Sequence, residues 1–398
     1  MSRLPEYIGP AAFGLKMGVV VPGCDLVEMI VDALAACARD GLLENGDVVC
    51  VTESVVARSQ NNYVTTDRIA LEVRDKLGIG PGSRLGVLWP ITSRNRFSLI
   101  LQALAQAVPG GEVVIQLPFP DDEVGNRIIP PDFVESLGKG DGDIIHREEF
   151  AGRGFVHPIT GVDYPSFYEE IVRKAGASPV LYLCNDPQRI ADFKPHGVLI
   201  ANVHGRDKTR ALVAELVPNC LSLQNLCNTD HYGEGWSEWG LMGSNLSAGN
   251  RLKLAPRQGN TVAAAIQERI AARLGKRVEV LIYGDGAYKD PTSGIYELAD
   301  PQPGFGSTAG FRQGRMRDGV KYKYLADLLL AEGKSPAEVE KLLAARKQET
   351  PAGQDNMLHE GTTPRKLEDL VASLADLVSG SADAGTPVVV VKGFFNRT

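Results

Sequence analysis

At 398 residues, 43% hydrophobic and 23% charged, the chain is longer than one hydrophobic core commonly supports and is composed like an ordinary globular protein, so two domains, or one domain carrying a large insertion, are expected. A net charge of -7, with Lys and Arg scattered rather than gathered into a stripe, gives neither nucleic acid nor an anionic membrane an electrostatic footprint, and a small-molecule partner is favoured. No apolar run reaches the length of a signal segment or a membrane span, and six dispersed cysteines without a CxxC pair read as reduced, buried thiols, which places the chain in the cytoplasm.

The first element is a helix opening at Asp25, whose side chain can cap it while Glu28 reaches back. Leu26, Met29, Ile30, Ala33, Leu34 and Cys37 recur there at helical spacing. Gly46 and Asp47 lead into Val48-Val49-Cys50-Val51, a run of the kind that sheets bury on both faces, and the chain turns polar at Thr52-Glu53-Ser54. Ser93-Arg94-Asn95-Arg96 precedes a helix over 98–108. It offers an anion two guanidinium groups and helix-terminal amides; the competing reading is a solvated surface pair. A strand over 113–117 then runs out into Phe119-Pro120-Asp121-Asp122-Glu123-Val124-Gly125-Asn126, so carboxylates follow a strand.

From 131 to 259 the texture changes. Gly-rich loops and aromatic turns precede apolar runs at 180–183 and 197–201, read as an inserted α/β subdomain between an N-terminal part, 1–130, and a C-terminal part, 260–398. Within it His204 follows an apolar run and is either a substrate contact or a hydrogen-bonded structural histidine. Segment 228–239 is aromatic, polar and glycine-punctuated, the composition of a substrate lid, an acceptor pocket or a subunit contact. Cys220, Cys227 and His231 match no familiar zinc spacing.

A helix over 261–274 feeds a strand over 278–283 that ends at Gly284-Asp285-Gly286, placing Asp285 at a strand's carboxyl end, where open α/β sheets take their ligands. Ser335-Pro336-Ala337-Glu338 is a capping box with proline at the first helical position, for a helix over 335–346. The last helix starts near Thr363-Pro364, carries Leu367, Leu370, Val371, Leu374, Leu377 and Val378 on one face, and stops at Gly380 before a closing strand over 386–391.

Three polar clusters therefore lie beside apolar strands: Asp121, Asp122 and Glu123 with Asn126; Asp285 with Asp290; and the Gly380-Ser381 turn. Carboxylates gathered near a phosphate are what Mg²⁺ or Mn²⁺ requires, although Asp and Asn also favour turns with no metal involved. The common phosphate cradles are absent, with no GxxxxGK[ST] and no dinucleotide fingerprint at 304–306.

Taken together, GDVVCVTESVVARSQ at 46–60, VEVLIYGDGAYKDP at 278–291 and LADLVSGSADAGTPVVVVKG at 374–393 resemble, in order, the coenzyme F420-0:L-glutamate ligase family. The resemblance covers the first and last thirds of the chain and passes over the middle. It implies a mixed α/β (α+β) ligase-like core holding an inserted α/β subdomain, assembled as a homodimer. Carried over, it puts Thr52, Glu53 and Arg58 near the nucleotide, Arg58 standing where the family usually has a lysine, with Asn126, Gly380 and Ser381 completing that side. Asp285 matches a metal aspartate, and Glu123, or its neighbour Asp122, takes the place of the other. Gly286 stands where the family commonly presents a threonine, and Ser381 where it has a glutamine near a second metal.

The implied activity uses GTP or ATP with Mg²⁺ or Mn²⁺ to activate a small-molecule carboxylate as an acyl phosphate, which the amino group of an amino acid, glutamate, then attacks. Arg94 and Arg96 would hold phosphate and His204 would face substrate. Two other classes fit the same residues: a metal-dependent nucleotide phosphohydrolase, and a nucleotide-binding sensor without turnover.

Overall fold

The computed structural model describes residues 7–157, 160–284, 287–289, 296–298, 304–312, 321–349, 366–379 and 385–395. In chain order its elements begin with β1 (Ala11–Leu15), α1 (Leu26–Arg39), β2 (Val48–Thr52), α2 (Glu53–Ser59), β3 (Tyr63–Thr65), α3 (Thr66–Leu77), β4 (Arg84–Leu88), α4 (Ser98–Ala107) and β5 (Glu112–Leu117). The middle of the chain supplies α5 (Pro131–Ser136), β6 (Ile145–His146), α6 (Arg147–Phe150), α7 (Tyr164–Lys174), β7 (Ser178–Leu183), β8 (Gly197–Ile200), α8 (Arg206–Ala214), β9 (Cys220–Ser222), β10 (Asn245–Ser247) and β11 (Arg251–Lys253). There follow α9 (Gly259–Leu274), β12 (Glu279–Tyr283), β13 (Ala287–Lys289), β14 (Tyr296–Leu298), β15 (Gly304–Ser307), α10 (Ala309–Arg312), α11 (Tyr322–Ala331), α12 (Pro336–Glu349), α13 (Leu367–Ser379) and β16 (Val388–Lys392).

The ends of the chain meet in a five-stranded sheet of order β1-β16-β2-β12-β15. β2 and β12 run parallel, side by side, and β16 and β15 flank them antiparallel. Every residue of β2 is buried because both faces are covered. Val49 and Val51 pack with α1 and α9, and Val48 and Cys50 pack with α13. Asp25 caps α1 by accepting the Glu28 amide at 3.1 Å, but the Glu28 side chain does not close the box. It pairs with Arg269 and Arg273 instead, clamping α1 to α9. Helix α9 begins at Gly259 because its backbone crosses β15 there: a Cβ on Gly259 would come 2.1 Å from the Phe305 carbonyl oxygen. Helix α13 turns Val371, Ala372, Ala375 and Ser379 to the sheet, a narrow stripe of mostly small residues, so Leu377, half a turn round from Ala375, is left 74% exposed despite its expected place on the apolar face.

A second, six-stranded sheet has the order β6-β7-β5-β4-β8-β9, with all but β6 parallel. The chain enters at β4, steps outward through β5 to β7, and returns to the other side of β4 for β8 and β9. That is a doubly wound arrangement, reversing between β4 and β8. Helices α3, α4 and α7 cover one face and α8 the other. The boundary expected at 131 falls inside this sheet, because β4 and β5 precede it and supply ladder partners to β8 and β7.

The small sheet β10-β11-β3 links the two halves. Its Leu252 belongs to the core of the six-stranded sheet, while the adjacent Lys253 reaches Glu53 at the start of α2. The Ser335 box forms as expected, with the Ser335 hydroxyl and amide each donating to Glu338 at 2.8 Å. All six cysteines are free, and five are buried. Among the described residues no helix is long and apolar enough to cross a membrane.

Candidate active site

β2 and β12 end together, Thr52 opposite Tyr283, and their carboxyl ends open on a cleft of about 310 Å³. β2 passes into α2 without a loop, since Thr52 keeps an extended backbone and Glu53 starts the helix, so Thr52, Glu53 and Ser54 are delivered to the cleft in succession. The segment between β4 and α4 closes it from the other sheet with Ser93, Asn95 and Arg96. That segment is wound into a turn, the Phe97 amide donating to the Ser93 carbonyl at 3.1 Å. Tyr168 braces it from below, its hydroxyl accepting from the Ser93 amide at 3.0 Å and donating to the Ile91 carbonyl at 2.6 Å. Asn245 of β10, Gly284 after β12, and Asp376 and Ser379 of α13 complete the lining.

The cleft is polar and carries both signs of charge. Lys253 places its ammonium 2.7 Å from each Glu53 oxygen, with the two side chains 11% and 10% exposed, so this carboxylate enters the cleft already oriented. Behind the lining Tyr283 is buried, which pushes its hydroxyl well above the usual tyrosine range. The donors are oxygens: two carboxylates, four hydroxyls and the side-chain carbonyls of Asn95 and Asn245. Such a set fits a hard divalent cation shared with a phosphate, because Mg²⁺ is commonly held by one or two carboxylates and completed by substrate oxygens. Among the described residues no group of three or more His, Cys, Asp or Glu could hold an ion unaided.

Of the residues expected from sequence, Thr52, Glu53 and Arg96 meet in this cleft. Asp285, Gly380 and Ser381 lie outside the described residues; Gly284 and Ser379, their chain neighbours, line the cleft. Arg58 is exposed in the last turn of α2 and is not among the lining residues, and neither is Arg94, which is exposed beside Tyr164.

The acidic run after β5 is a folded turn, and Asp122, Glu123 and Asn126 are not among the residues that line the cleft. Asp122 is 4% exposed and accepts five hydrogen bonds: from the Thr92 amide and hydroxyl, the Val124 amide, and the amide and side chain of Asn126. Burial pushes its carboxyl up, against the bonds from Thr92 and Asn126. Those bonds tie Asp122 and Asn126 into the loop. Glu123 accepts the backbone amides of Val203 and His204, the latter at 2.9 Å, pinning the loop after β5 to the one after β8. His204 lies in that second loop, its Nδ1 3.6 Å from Glu123, and lines no part of the cleft.

Lys253, Asn245, Asp376 and Ser379 were missed. Lys253 is 200 positions from its partner in the sequence, a separation that carries no local signal. Asp376 and Ser379 did leave one, as polar residues three apart, and so on one helical face, at the end of α13.

The model of the F420-0:gamma-glutamyl ligase family matches residues 14–393. The chain belongs to that family. No curated protein matches it. The match runs across the middle of the chain as well as its ends, beyond the first and last thirds on which the resemblance was read. Membership in the F420-0:gamma-glutamyl ligase family makes this a ligase fold for adding glutamate, and the cleft is the place where its two sheets bring charged side chains together.

Proposed function

We propose that the chain is a nucleoside-triphosphate- and metal-dependent ligase that joins L-glutamate by an amide bond to a small-molecule carboxylate, through an acyl phosphate. The observation that supports this reading best is the convergence of Arg96, Glu53 and Asp376 in one hydroxyl-lined cleft at the carboxyl ends of β2 and β12, in a member of this ligase family. Phosphoryl transfer asks a protein mainly for positioning and charge stabilisation, and these side chains supply both. Arg96 neutralises phosphate oxygens, and the hydroxyls of Thr52, Ser54, Ser93 and Ser379 orient them. Glu53, fixed by Lys253, and Asp376 would hold Mg²⁺ or Mn²⁺, which when bound offsets phosphate charge and aligns the γ-phosphoryl group with the carboxylate. Attack requires the amine of glutamate as a free base.

The enzyme is expected to act in the cytoplasm as a homodimer, with GTP or ATP as co-substrate. Phosphate release from each nucleotide, with and without glutamate, tests the reading. Release that requires glutamate and an acid acceptor is the expected result. Release indifferent to glutamate identifies a phosphohydrolase, and nucleotide binding without release identifies a sensor.

A further inference from the structure

At the far end of α2 a second cavity opens, of about 670 Å³. Helix α2 has 7 residues, and at ~1.5 Å per residue this cavity lies on the order of 10 Å from the Glu53 end. Its walls carry two half-buried aromatic residues, Tyr63 and Trp236, and two guanidinium groups, Arg251 and Arg257.

The walls are built, not merely adjacent. Asn62 is fully buried and donates to the carbonyls of Trp236 at 2.9 Å and Ala255 at 2.7 Å, while its oxygen accepts from the Trp236 amide at 3.0 Å and from Arg257 at 3.1 Å. Gly235 presses the 228–239 segment onto β3 so closely that a Cβ there would come 2.5 Å from the Tyr63 carbonyl oxygen. The aromatic segment is thereby held as one wall of a preformed cavity.

Asp230 and Glu234 also line the cavity, but the two guanidinium groups are not paired with them. Arg257 spends its bonds on neutral acceptors, Asn62 and the Gln60 carbonyl at 3.1 Å, and Arg251 sits 5.0 Å over the Tyr63 ring. Among the described residues neither guanidinium has a carboxylate within ion-pair distance. Glu234, on the same cavity, takes the Thr65 amide at 2.9 Å instead. A guanidinium fork matches carboxylate and phosphate oxygens, and rings beside it offer a flat apolar face.

We propose that this cavity binds a planar aromatic anion, its ring against Trp236 and Tyr63 and its carboxylate or phosphate on Arg251 and Arg257. The site stands independently of the ligase reading. Calorimetric titration of the full chain with 2-naphthyl phosphate and with 2-naphthoate tests it and separates the two anions; 2-naphthol and inorganic phosphate control for ring and charge alone. Saturable binding of at least one aromatic anion is expected, about tenfold tighter than either control. Arg251→Gln, at an exposed residue, should weaken it about tenfold, as should Trp236→Leu, while Arg96→Gln leaves it unchanged. Absence of saturable binding for both anions overturns the proposal. So does binding that survives Arg251→Gln and Trp236→Leu but is lost in Arg96→Gln, because the ligand would then occupy the first cleft.

Discussion

Replacing Lys253 by Met keeps the stem of the side chain and removes the ammonium that lies 2.7 Å from both Glu53 oxygens. Glu53 is 7% exposed and Lys253 9%, so the carboxylate stays largely out of water while losing its cation. Breaking one side of such a pair costs roughly 3 to 5 kcal/mol, since solvent screens the remaining charge poorly at so buried a position. Removing both charges, in Glu53→Gln with Lys253→Met, returns the hydration cost of two ions and offsets the lost attraction. The double variant should therefore lie within about 1 kcal/mol of the parent. Urea unfolding followed by far-ultraviolet circular dichroism, with midpoints compared at a common slope, measures both. A single variant that costs less than about 1 kcal/mol, or a double variant as unstable as the single one, refutes the view that Lys253 exists to hold Glu53 in place.

Asp122→Ala should lose about 3 kcal/mol or more by stranding the donors of Thr92, Val124 and Asn126, and the loss should be the same with Mg²⁺ or with a chelator; a Mg²⁺-dependent difference in urea midpoint would instead give this carboxylate a metal role. Gly306→Ala would bring a Cβ 2.2 Å from the carbonyl carbon of Gly259, so a cost of at least about 1 to 3 kcal/mol is expected, read as a lowered urea midpoint. The hydrogen bond from Lys139, opposed by burial and assisted by the His146 amide, holds Glu149 below the usual carboxylate range. Its stabilisation is thus present at neutral pH and lost as pH falls through the folded-state value. Glu149→Gln should be less stable than the parent at neutral pH, with a gap that closes in acid; a gap that widens in acid contradicts the sign.

How legible each part was depends on whether its signal is local. Val48 to Val51 announced a strand because burial on both faces leaves an uninterrupted apolar run, and the Ser335 box because capping involves residues three apart. β4 gave no such signal. Its run is short and broken by Gly86, whose absent side chain leaves room for Ile190, and its pairing partners lie in 112–117 and 197–200. The place of the six-stranded sheet, and so the domain boundary, depended on those distant pairings.

The candidate site divides in the same way. Thr52, Glu53 and Arg96 follow or precede regular elements, and their positions at strand and helix ends carry into space. Asp122 and Glu123 have the composition of a metal site and of a turn alike. Their partners in the fold are Thr92, Asn126 and the amides of Val203 and His204, most of them distant in sequence.

The measurement closest to the central claim is mass-resolved product formation. The protein is incubated with L-glutamate, GTP or ATP, Mg²⁺ or Mn²⁺, and a panel of carboxylic acids that begins with the F420-0 of the family's name. The account predicts an acid that gains the mass of one glutamyl residue only when nucleotide and metal are both present, with one phosphate released per residue added and neither event in Arg96→Gln. Phosphate release with no glutamylated product, or glutamylation that proceeds without nucleotide, would contradict it.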